Sequence, residues 1–299
     1  MAAHPEGDAV PVPNFLYLGP DKAGSSWLHE VLIRHPQVFM PEAKDIYFFD
    51  RYYQRGPSWY LAHFAAARQQ HLVIGEVCQD YLAEPAAPAR IAECLTHPRF
   101  MVTLRDPADR AYSSWLYMLK HGETPGTFLE ALEGRPELLE HGRYATQLHR
   151  YVDAFGRESL YVAVFDDLAA DSQGFIDALL AWLEIEPMTL PDDLVEARLT
   201  AGRARSLVVA RAARRAAEIV RLRDGANLVG RVKRSPLVQR VLYRALPDDQ
   251  PRITAEERAA VHAALAPEVA ELDRMFGLDL GKRWGWKAPG PSPAVAGSG

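Results

Sequence analysis

Residues 18–50 read LGPDKAGSSWLHEVLIRHPQVFMPEAKDIYFFD. Together with the apolar run from Phe15 to Leu18, this stretch predicts a short strand that ends in a glycine turn carrying Lys22 and two serines, and then a helix. A strand that leads through such a turn into a helix is a common way to hold phosphate, because free backbone N–H groups and the positive end of the helix dipole point at the anion. The sequence therefore predicts binding of a phosphorylated nucleotide.

The position of the lysine distinguishes two kinds of phosphate loop. In a kinase or ATPase loop, GxxxxGK followed by Ser or Thr, the lysine comes after the second glycine. Here Gly19 and Gly24 have that spacing, but Ser25 follows Gly24 and Lys22 lies inside the loop. The run instead resembles the 5′-phosphosulfate loop of the sulfotransferases that use 3′-phosphoadenosine 5′-phosphosulfate (PAPS). The matching residues are Pro20, Lys22, Ala23, Gly24, Ser25 and Ser26, with Asp21 as an extra residue that carbohydrate-modifying members also have.

A second strand, turn and helix follows at residues 100–122, FMVTLRDPADRAYSSWLYMLKHG. Asp106 and Pro107 are typical of a helix N-terminus. Arg105 and Ser113 are spaced as in the family's 3′-phosphate site, so the resemblance implies that they hold the 3′-phosphate of the donor. The resemblance covers about residues 14–206 and includes the block from 142 to 168.

The order of the elements predicts an α/β fold with a P-loop-like parallel sheet flanked by helices. Strands are predicted at 15–18, 72–74, 100–104 and 160–165, and helices at 27–34, 86–95, 108–120, 144–155 and 172–183. From about residue 194 no strand is predicted, and three helical stretches extend to residue 276. We expect a flexible segment at 1–13, one sulfotransferase domain at 14–286 with a helical C-terminal portion, and a disordered tail at 287–299.

The bulk composition narrows the class of protein. The 299 residues are 48% hydrophobic and 24% charged, which is enough for one full-size core. A formal net charge of −5 gives no sign of a nucleic-acid-binding protein. The sequence has only two cysteines and no N-terminal leader pattern, which predicts a cytoplasmic protein. It also has no apolar run long enough to cross a membrane, which predicts that there is no transmembrane segment. The oligomeric state stays open.

Sulfuryl transfer requires a group that stabilises charge on the leaving phosphate and a base for the acceptor. The resemblance assigns the first role to Lys22. In carbohydrate sulfotransferases a glutamate before an aromatic FF pair is the base, and the matching residue in AKDIYFFD is Asp45. The alternative base is Glu76 in IGEVCQDYL, which Val77 follows where carbohydrate members usually have lysine.

Further donor contacts are expected from the resemblance. Trp27 occupies the place of a tryptophan that stacks on adenine, although its helical spacing alone fits core packing equally well. Gly202, Arg203 and Arg205 match a late Gly-Arg element that closes over the nucleotide. The basic run from 203 to 244 fits either a solvated helix face or a lid over the anionic donor. No metal is expected, because a sulfuryl group carries less charge than a phosphoryl group and no paired metal carboxylates are evident.

The resemblance implies an enzyme that moves a sulfuryl group from PAPS to a hydroxyl of a small-molecule or glycoside acceptor. Two alternatives stay open at this point. One is a P-loop nucleotide kinase or NTPase, and the other is a non-catalytic nucleotide-binding protein that has lost its base.

Overall fold

The computed structural model describes residues 11–124, 126–197, 202–204, 243–245 and 252–286. Five parallel strands form the central sheet in the order β2-β3-β1-β4-β5. Their bounds are β1 Phe15–Gly19, β2 Val38–Phe39, β3 Val73–Val77, β4 Arg99–Leu104 and β5 Leu160–Val164. The parallel α/β architecture predicted from the sequence is therefore confirmed, and only the two-residue β2 was not predicted.

The central strand β1 is buried on both faces. Leu16 and Leu18 pack in one hydrophobic core, whereas Phe15 and Tyr17 pack in the other. Successive side chains of a strand point to opposite faces of the sheet, so a strand that is covered on both sides is apolar throughout. This explains why β1 reads as an unbroken apolar run.

Helices cover both faces of the sheet. The helix bounds are α1 Ser25–Leu32, α2 Pro57–Leu61, α3 Ala87–Cys94, α4 Pro107–His121, α5 Phe128–Gly134, α6 Glu137–Glu140, α7 Tyr144–Phe155, α8 Phe165–Ala170, α9 Ser172–Trp182, α10 Asp192–Ala197, α11 Ala255–Phe276 and α12 Leu280–Arg283. The core that contains Leu16 and Leu18 includes side chains from α3, α4, α7 and α11, and the core that contains Phe15 and Tyr17 includes side chains from α1 and α9.

The helix α4 begins and ends where the sequence predicts. The side chain of Asp106 accepts a hydrogen bond from the backbone N–H of Ala108, and Pro107 occupies the first turn. Gly122 ends the helix in a left-handed conformation, which glycine adopts without steric cost. These caps fix where Arg105, at the end of β4, meets the start of α4.

The expectation that no strand follows residue 194 needs a correction. Gly202–Ala204 (β6) and Tyr243–Ala245 (β7) pair as a two-stranded antiparallel ribbon. Three residues are too few to give an alternating pattern, which is why the sequence does not predict them. The helix α11 confirms a helical segment at 255–276, and a Thr254–Glu257 capping box starts it. Most of the basic run at 203–244 and the terminal segments 1–10 and 287–299 lie outside the described residues.

Within the described ranges, no helix is long and apolar enough to span a bilayer.

Candidate active site

The loop after β1 lies at the middle of the sheet's carboxyl edge, because β1 pairs with β3 on one side and β4 on the other. This is the crevice where open α/β sheets bind ligands. Gly24 precedes α1 with φ 88°, and a Cβ there would lie 2.8 Å from Leu168 Cδ2. The first turn of α1 has no acidic residue and no side-chain cap. The first backbone N–H groups of a helix lack intrahelical partners, so this turn can bind an anion.

The loop residues differ in exposure. Ala23 and Ser25 are buried, whereas Ser26 is exposed at the start of α1. Lys22 is half-buried and has φ 62°, a left-handed conformation that is strained for a residue with a Cβ. Its ammonium nitrogen lies 3.8 Å from the centroid of the Tyr117 ring.

The pKa of Lys22 is lowered to about 8, first by burial and then by nearby positive charges. Lys44, Lys120 and Arg105 are those charges, and Asp21 opposes them. A lysine that is surrounded by other cations is stabilised when an anion binds among them. The electrostatics of the loop therefore suit an anionic ligand.

Arg105 connects the turn after β4 with the loop after β1. Its Nη1 donates a hydrogen bond of 2.6 Å to the carbonyl oxygen of Lys22, and its guanidinium lies 4.9 Å from the centroid of the Phe165 ring. Ser113 lies half-buried on α4. The structure thus places Arg105 against Lys22 at this edge of the sheet and Ser113 on the helix that starts there. That these three residues hold the donor stays a prediction.

Asp21 is a structural part of the loop that the sequence did not identify as important. It accepts hydrogen bonds from Arg110 Nη1 at 3.0 Å and from Ser114 Oγ at 3.1 Å, and His141 Nδ1 lies 3.8 Å away. Burial favours the neutral carboxyl, but Arg110 and His141 more than offset this and hold its pKa well below the usual value. Arg110 is fully buried, so the pair anchors the loop to α4. The only local signal was the extra acidic residue beside Lys22.

Asp45 lies beside the carboxyl end of β3. Its backbone N–H donates to Val77 O at 2.9 Å, and its Oδ1 accepts a 3.2 Å hydrogen bond from the N–H of Gln79. Lys44 Nζ lies 2.9 Å from Oδ1 and 2.7 Å from Oδ2. Both Asp45 and Tyr47 have left-handed φ values, of 61° and 60°. Strained backbone of this kind often occurs at functional sites.

Glu76, the alternative base, is buried inside the sheet with 1% exposure. Burial raises its pKa to about 8. The hydroxyl of Tyr81 donates to Glu76 Oε1 at 2.9 Å and accepts from the backbone N–H of Phe48 at 2.9 Å. Glu76 Oε2 and the Tyr60 hydroxyl both lack hydrogen-bond geometry with any described residue, although Tyr60 is close enough to influence the pKa of Glu76.

The other residues that were expected to contact the donor are Trp27, Gly202, Arg203 and Arg205. Trp27 is 6% exposed, donates from Nε1 to Leu194 O at 2.8 Å and packs edge-on against Phe175. That is the core packing that helical spacing predicts, and stacking on adenine stays a prediction. Gly202 and Arg203 belong to β6, and Arg205 lies outside the described residues.

The described part of the chain contains no cluster of three or more His, Cys, Asp or Glu side chains placed to hold a metal ion. The expectation of a metal-free reaction stays a prediction.

A groove of about 330 Å³ opens near Asp21. His141, which approaches Asp21, is part of its wall. The charged side chains that line it are Glu137, Glu140, Arg143 and Arg150. Two carboxylates and two guanidinium groups leave the groove without a net charge when His141 is neutral.

Comparison with known proteins supports the resemblance. The membrane-associated sulfotransferase kil1 of Dictyostelium discoideum is 31% identical over 125 residues, covering 40% of this chain and 26% of that protein. The bifunctional heparan sulfate N-deacetylase/N-sulfotransferase 1 of Caenorhabditis elegans is 26% identical over 192 residues, covering 58% of this chain and 22% of that protein. The chain thus spans about a quarter of the length of these curated relatives or slightly less.

A solved structure has the same fold. The crystal structure of a sulfotransferase from Alicyclobacillus acidocaldarius superposes with a TM-score of 0.66 at 21% sequence identity, covering 90% of this chain and 97% of that one. The sulfotransferase domain family matches residues 13–201, more than half of the chain, and the chain therefore belongs to that family.

Proposed function

We propose that this protein transfers the sulfuryl group of PAPS to a hydroxyl of a small-molecule or glycoside acceptor. The observation that carries the proposal is the 2.6 Å hydrogen bond from Arg105 Nη1 to Lys22 O, which brings together the two motifs that are expected to bind phosphate. An adenosine with charged groups on both its 5′ and 3′ positions is a ligand that such a pair of motifs suits.

The residues at the cleft fit this donor. Lys22 and the first turn of α1, at Ser25 and Ser26, would hold the 5′-phosphosulfate. Arg105 and Ser113 would hold the 3′-phosphate, since a guanidinium can grip phosphate oxygens with two parallel hydrogen bonds. PAPS supplies an activated sulfuryl group on a phosphate leaving group.

The transfer needs only a few residues of this chain. The acceptor oxygen bonds to sulfur while its hydroxyl proton moves to Asp45. The bond from sulfur to the bridging phosphate oxygen breaks, and its electron pair stays on that oxygen, where Lys22 stabilises the charge. Asp45 then releases its proton to solvent.

We favour Asp45 over Glu76 as the base because of its surroundings. The Asp45 side chain is 14% exposed, and its Oδ2 accepts from Lys44 but not from Gln79, which leaves room for an acceptor hydroxyl. Glu76 is buried, and through Tyr81 it supports the backbone at Phe48, close to Asp45 in the chain. We therefore assign Glu76 a positioning role.

The groove near Asp21 suits the acceptor. Because its acidic and basic side chains balance, an uncharged hydroxyl compound fits it better than a polyanion. The name of the nematode relative refers to heparan sulfate, which is a polyanion. We propose a different, neutral acceptor class for this chain.

Two further assignments accompany the proposal. We treat residues 14–286 as one sulfotransferase domain. We also infer a cytoplasmic location, because Cys78 and Cys94 are both free thiols rather than a disulfide pair.

Turnover assays test the proposed function. The protein is incubated with PAPS and a panel of neutral and anionic hydroxyl acceptors, and formation of 3′-phosphoadenosine 5′-phosphate (PAP) is measured. Asp45→Asn should reduce kcat by about 10²–10⁴-fold, whereas Glu76→Gln should retain most of the turnover. The reverse pattern would make Glu76 the base.

The alternatives have their own outcomes in this experiment. Tight PAP binding without turnover of any acceptor would indicate a non-catalytic binding protein. Magnesium-dependent ATP binding stronger than PAP binding would indicate a P-loop NTPase. Family membership and the position of Lys22 inside the loop favour neither of them.

A further inference from the structure

Two carboxylates lie at the start of α4, next to the residues that we assign to the 3′-phosphate. Asp106 directly follows Arg105 and caps the helix, and Asp109 is in its first turn. Asp109 precedes Ser113 by four positions, so the two side chains share one face of α4, with Cβ atoms about 5–6 Å apart. A phosphate bound between Arg105 and Ser113 would therefore lie within the range of carboxylate repulsion.

One guanidinium group from the C-terminal helix contacts both carboxylates. Arg258, near the start of α11, donates from Nη1 to Asp106 Oδ2 at 2.8 Å and from Nη2 to Asp109 Oδ1. The other oxygen of Asp106 accepts the capping hydrogen bond from the N–H of Ala108 at 2.8 Å. The Asp106 and Arg258 side chains are 7% and 32% exposed, so water screens this pair less than a fully exposed one. These contacts tie α11 to the end of α4 that follows Arg105.

The charges at this helix start balance only when Arg258 is counted. The ionised carboxylates of Asp106 and Asp109 carry two negative charges, whereas Arg105 carries one positive charge. Burial lowers the pKa of Arg105 most, and Asp109 is the group that raises it most, with Asp106 acting in the same direction. Without Arg258 these three groups would have a net negative charge and would repel a phosphate. With Arg258 the charges balance, and the Arg105 guanidinium is not needed as a counter-ion for the carboxylates.

We propose that Arg258 is a positioning residue of the donor site, which neutralises Asp106 and Asp109 so that Arg105 can hold the 3′-phosphate. The inference rests on the proposed function and deepens it. Arg258 lies outside residues 13–201, which match the family, so the proposal adds a residue of the C-terminal helix α11 to the donor site.

Calorimetry with PAP and with adenosine 5′-monophosphate (AMP) tests the proposal, because the two ligands differ only in the 3′-phosphate. Arg258→Ala should weaken PAP binding by about tenfold, the order expected for an uncompensated charge several ångströms from a phosphate near a protein surface, and should leave AMP affinity within about twofold. Arg274→Ala is the control on the same helix, since the Arg274 side chain is 74% exposed and pairs with Glu271. It should change neither affinity.

Asparagine variants separate the charge of Arg258 from a merely structural contact. Asparagine is also a good N-cap residue, so Asp106→Asn keeps the cap of α4 while it removes the charge. The double variants Arg258→Ala/Asp106→Asn and Arg258→Ala/Asp109→Asn should each regain most of the PAP affinity that Arg258→Ala loses, because the remaining charges balance again. If Arg258 only held the two helices together, these substitutions would remove further contacts and would not restore binding.

Two other replacements of Arg258 give a second readout, which applies also if the alanine variant does not fold. Arg258→Lys keeps the positive charge and should bind PAP within about threefold of the wild type. Arg258→Gln keeps a hydrogen-bond donor without the charge and should lose PAP affinity as Arg258→Ala does.

The outcomes distinguish the role of Arg258 from the proposed function. Wild-type PAP affinity in Arg258→Ala, equal losses for PAP and AMP, or no recovery in the asparagine double variants would each overturn the role of Arg258. Failure of the proposed function looks different, because the wild type would then turn over no acceptor with PAPS or would bind PAP no more tightly than AMP.

Discussion

Replacing Asp21 by alanine should destabilise the fold by about 3–5 kcal/mol, the usual cost of leaving one partner of a buried ion pair uncompensated. The carboxylate of Asp21 accepts from Arg110 Nη1 at 3.0 Å and from Ser114 Oγ at 3.1 Å. Arg110 has no exposed surface, so water cannot replace the lost partner. The magnitude therefore follows from the burial of Arg110 rather than from the strength of the contact itself.

Urea unfolding measures this effect, because the free energy of unfolding can be extrapolated linearly to zero urea. The comparison requires that the variant and the wild type have the same dependence of this free energy on urea concentration. Asp21→Asn keeps an oxygen acceptor for Ser114 but removes the charge. Its free energy of unfolding should lie between those of the wild type and Asp21→Ala. The double variant Asp21→Ala/Arg110→Met removes both charges and should recover much of the loss. A cost below about 1 kcal/mol for Asp21→Ala, or no recovery in the double variant, would refute the reasoning.

An exposed ion pair provides a matched control. Arg34 and Asp193 form two hydrogen bonds of 2.9 and 2.8 Å, but their side chains are 39% and 62% exposed. Asp193→Ala should cost less than about 1 kcal/mol, because solvent screens such pairs. If Asp21→Ala and Asp193→Ala lowered the free energy of unfolding equally, burial would not be what sets the size of the loss.

Four further predictions concern the cleft. Since the pKa of Lys22 is about 8, PAP affinity measured by calorimetry should fall as the pH rises through that value, and Lys22→Ala should remove this dependence. Burial raises the pKa of Glu76 from 4.5 to about 8, so between these pH values the folded protein keeps a proton that the unfolded chain releases. The free energy of unfolding should therefore fall as the pH rises from 4.5 to about 8. The fall should be smaller in Glu76→Gln, which cannot titrate at this position. Gly24→Ala should cost about 1–2 kcal/mol in urea unfolding, because alanine is strained at φ 88° and its Cβ would approach Leu168. Arg105→Ala should weaken PAP binding more than it weakens binding of adenosine 5′-phosphosulfate, which has no 3′-phosphate but still contacts the loop that Arg105 supports. Equal losses for both ligands would contradict the assignment.

Much of the fold follows from local patterns. Short apolar runs bounded by turn residues predict β1, β3, β4 and β5, since a strand that is covered on both faces must be apolar throughout. The strand β2 has only two residues, and the one-turn π-helix at Phe48–Tyr52 has no distinctive periodicity, so neither could be predicted.

The sequence by itself determined the glycine turn after β1, the helix start after Arg105 and the family, because the spacings of glycine, proline, lysine and serine constrain a backbone locally. Only the tertiary structure decided which distant side chains act together. Asp21 pairs with Arg110 across 89 positions, and Glu76 acts on Phe48 through Tyr81. Asp45 hydrogen-bonds to Val77 at the end of β3, and its place on the same edge of the sheet as the Lys22 loop depends on the parallel pairing of β1 with β3. Electrostatic and hydrogen-bond energies depend on distance and burial in space, and no local pattern in a sequence specifies either one.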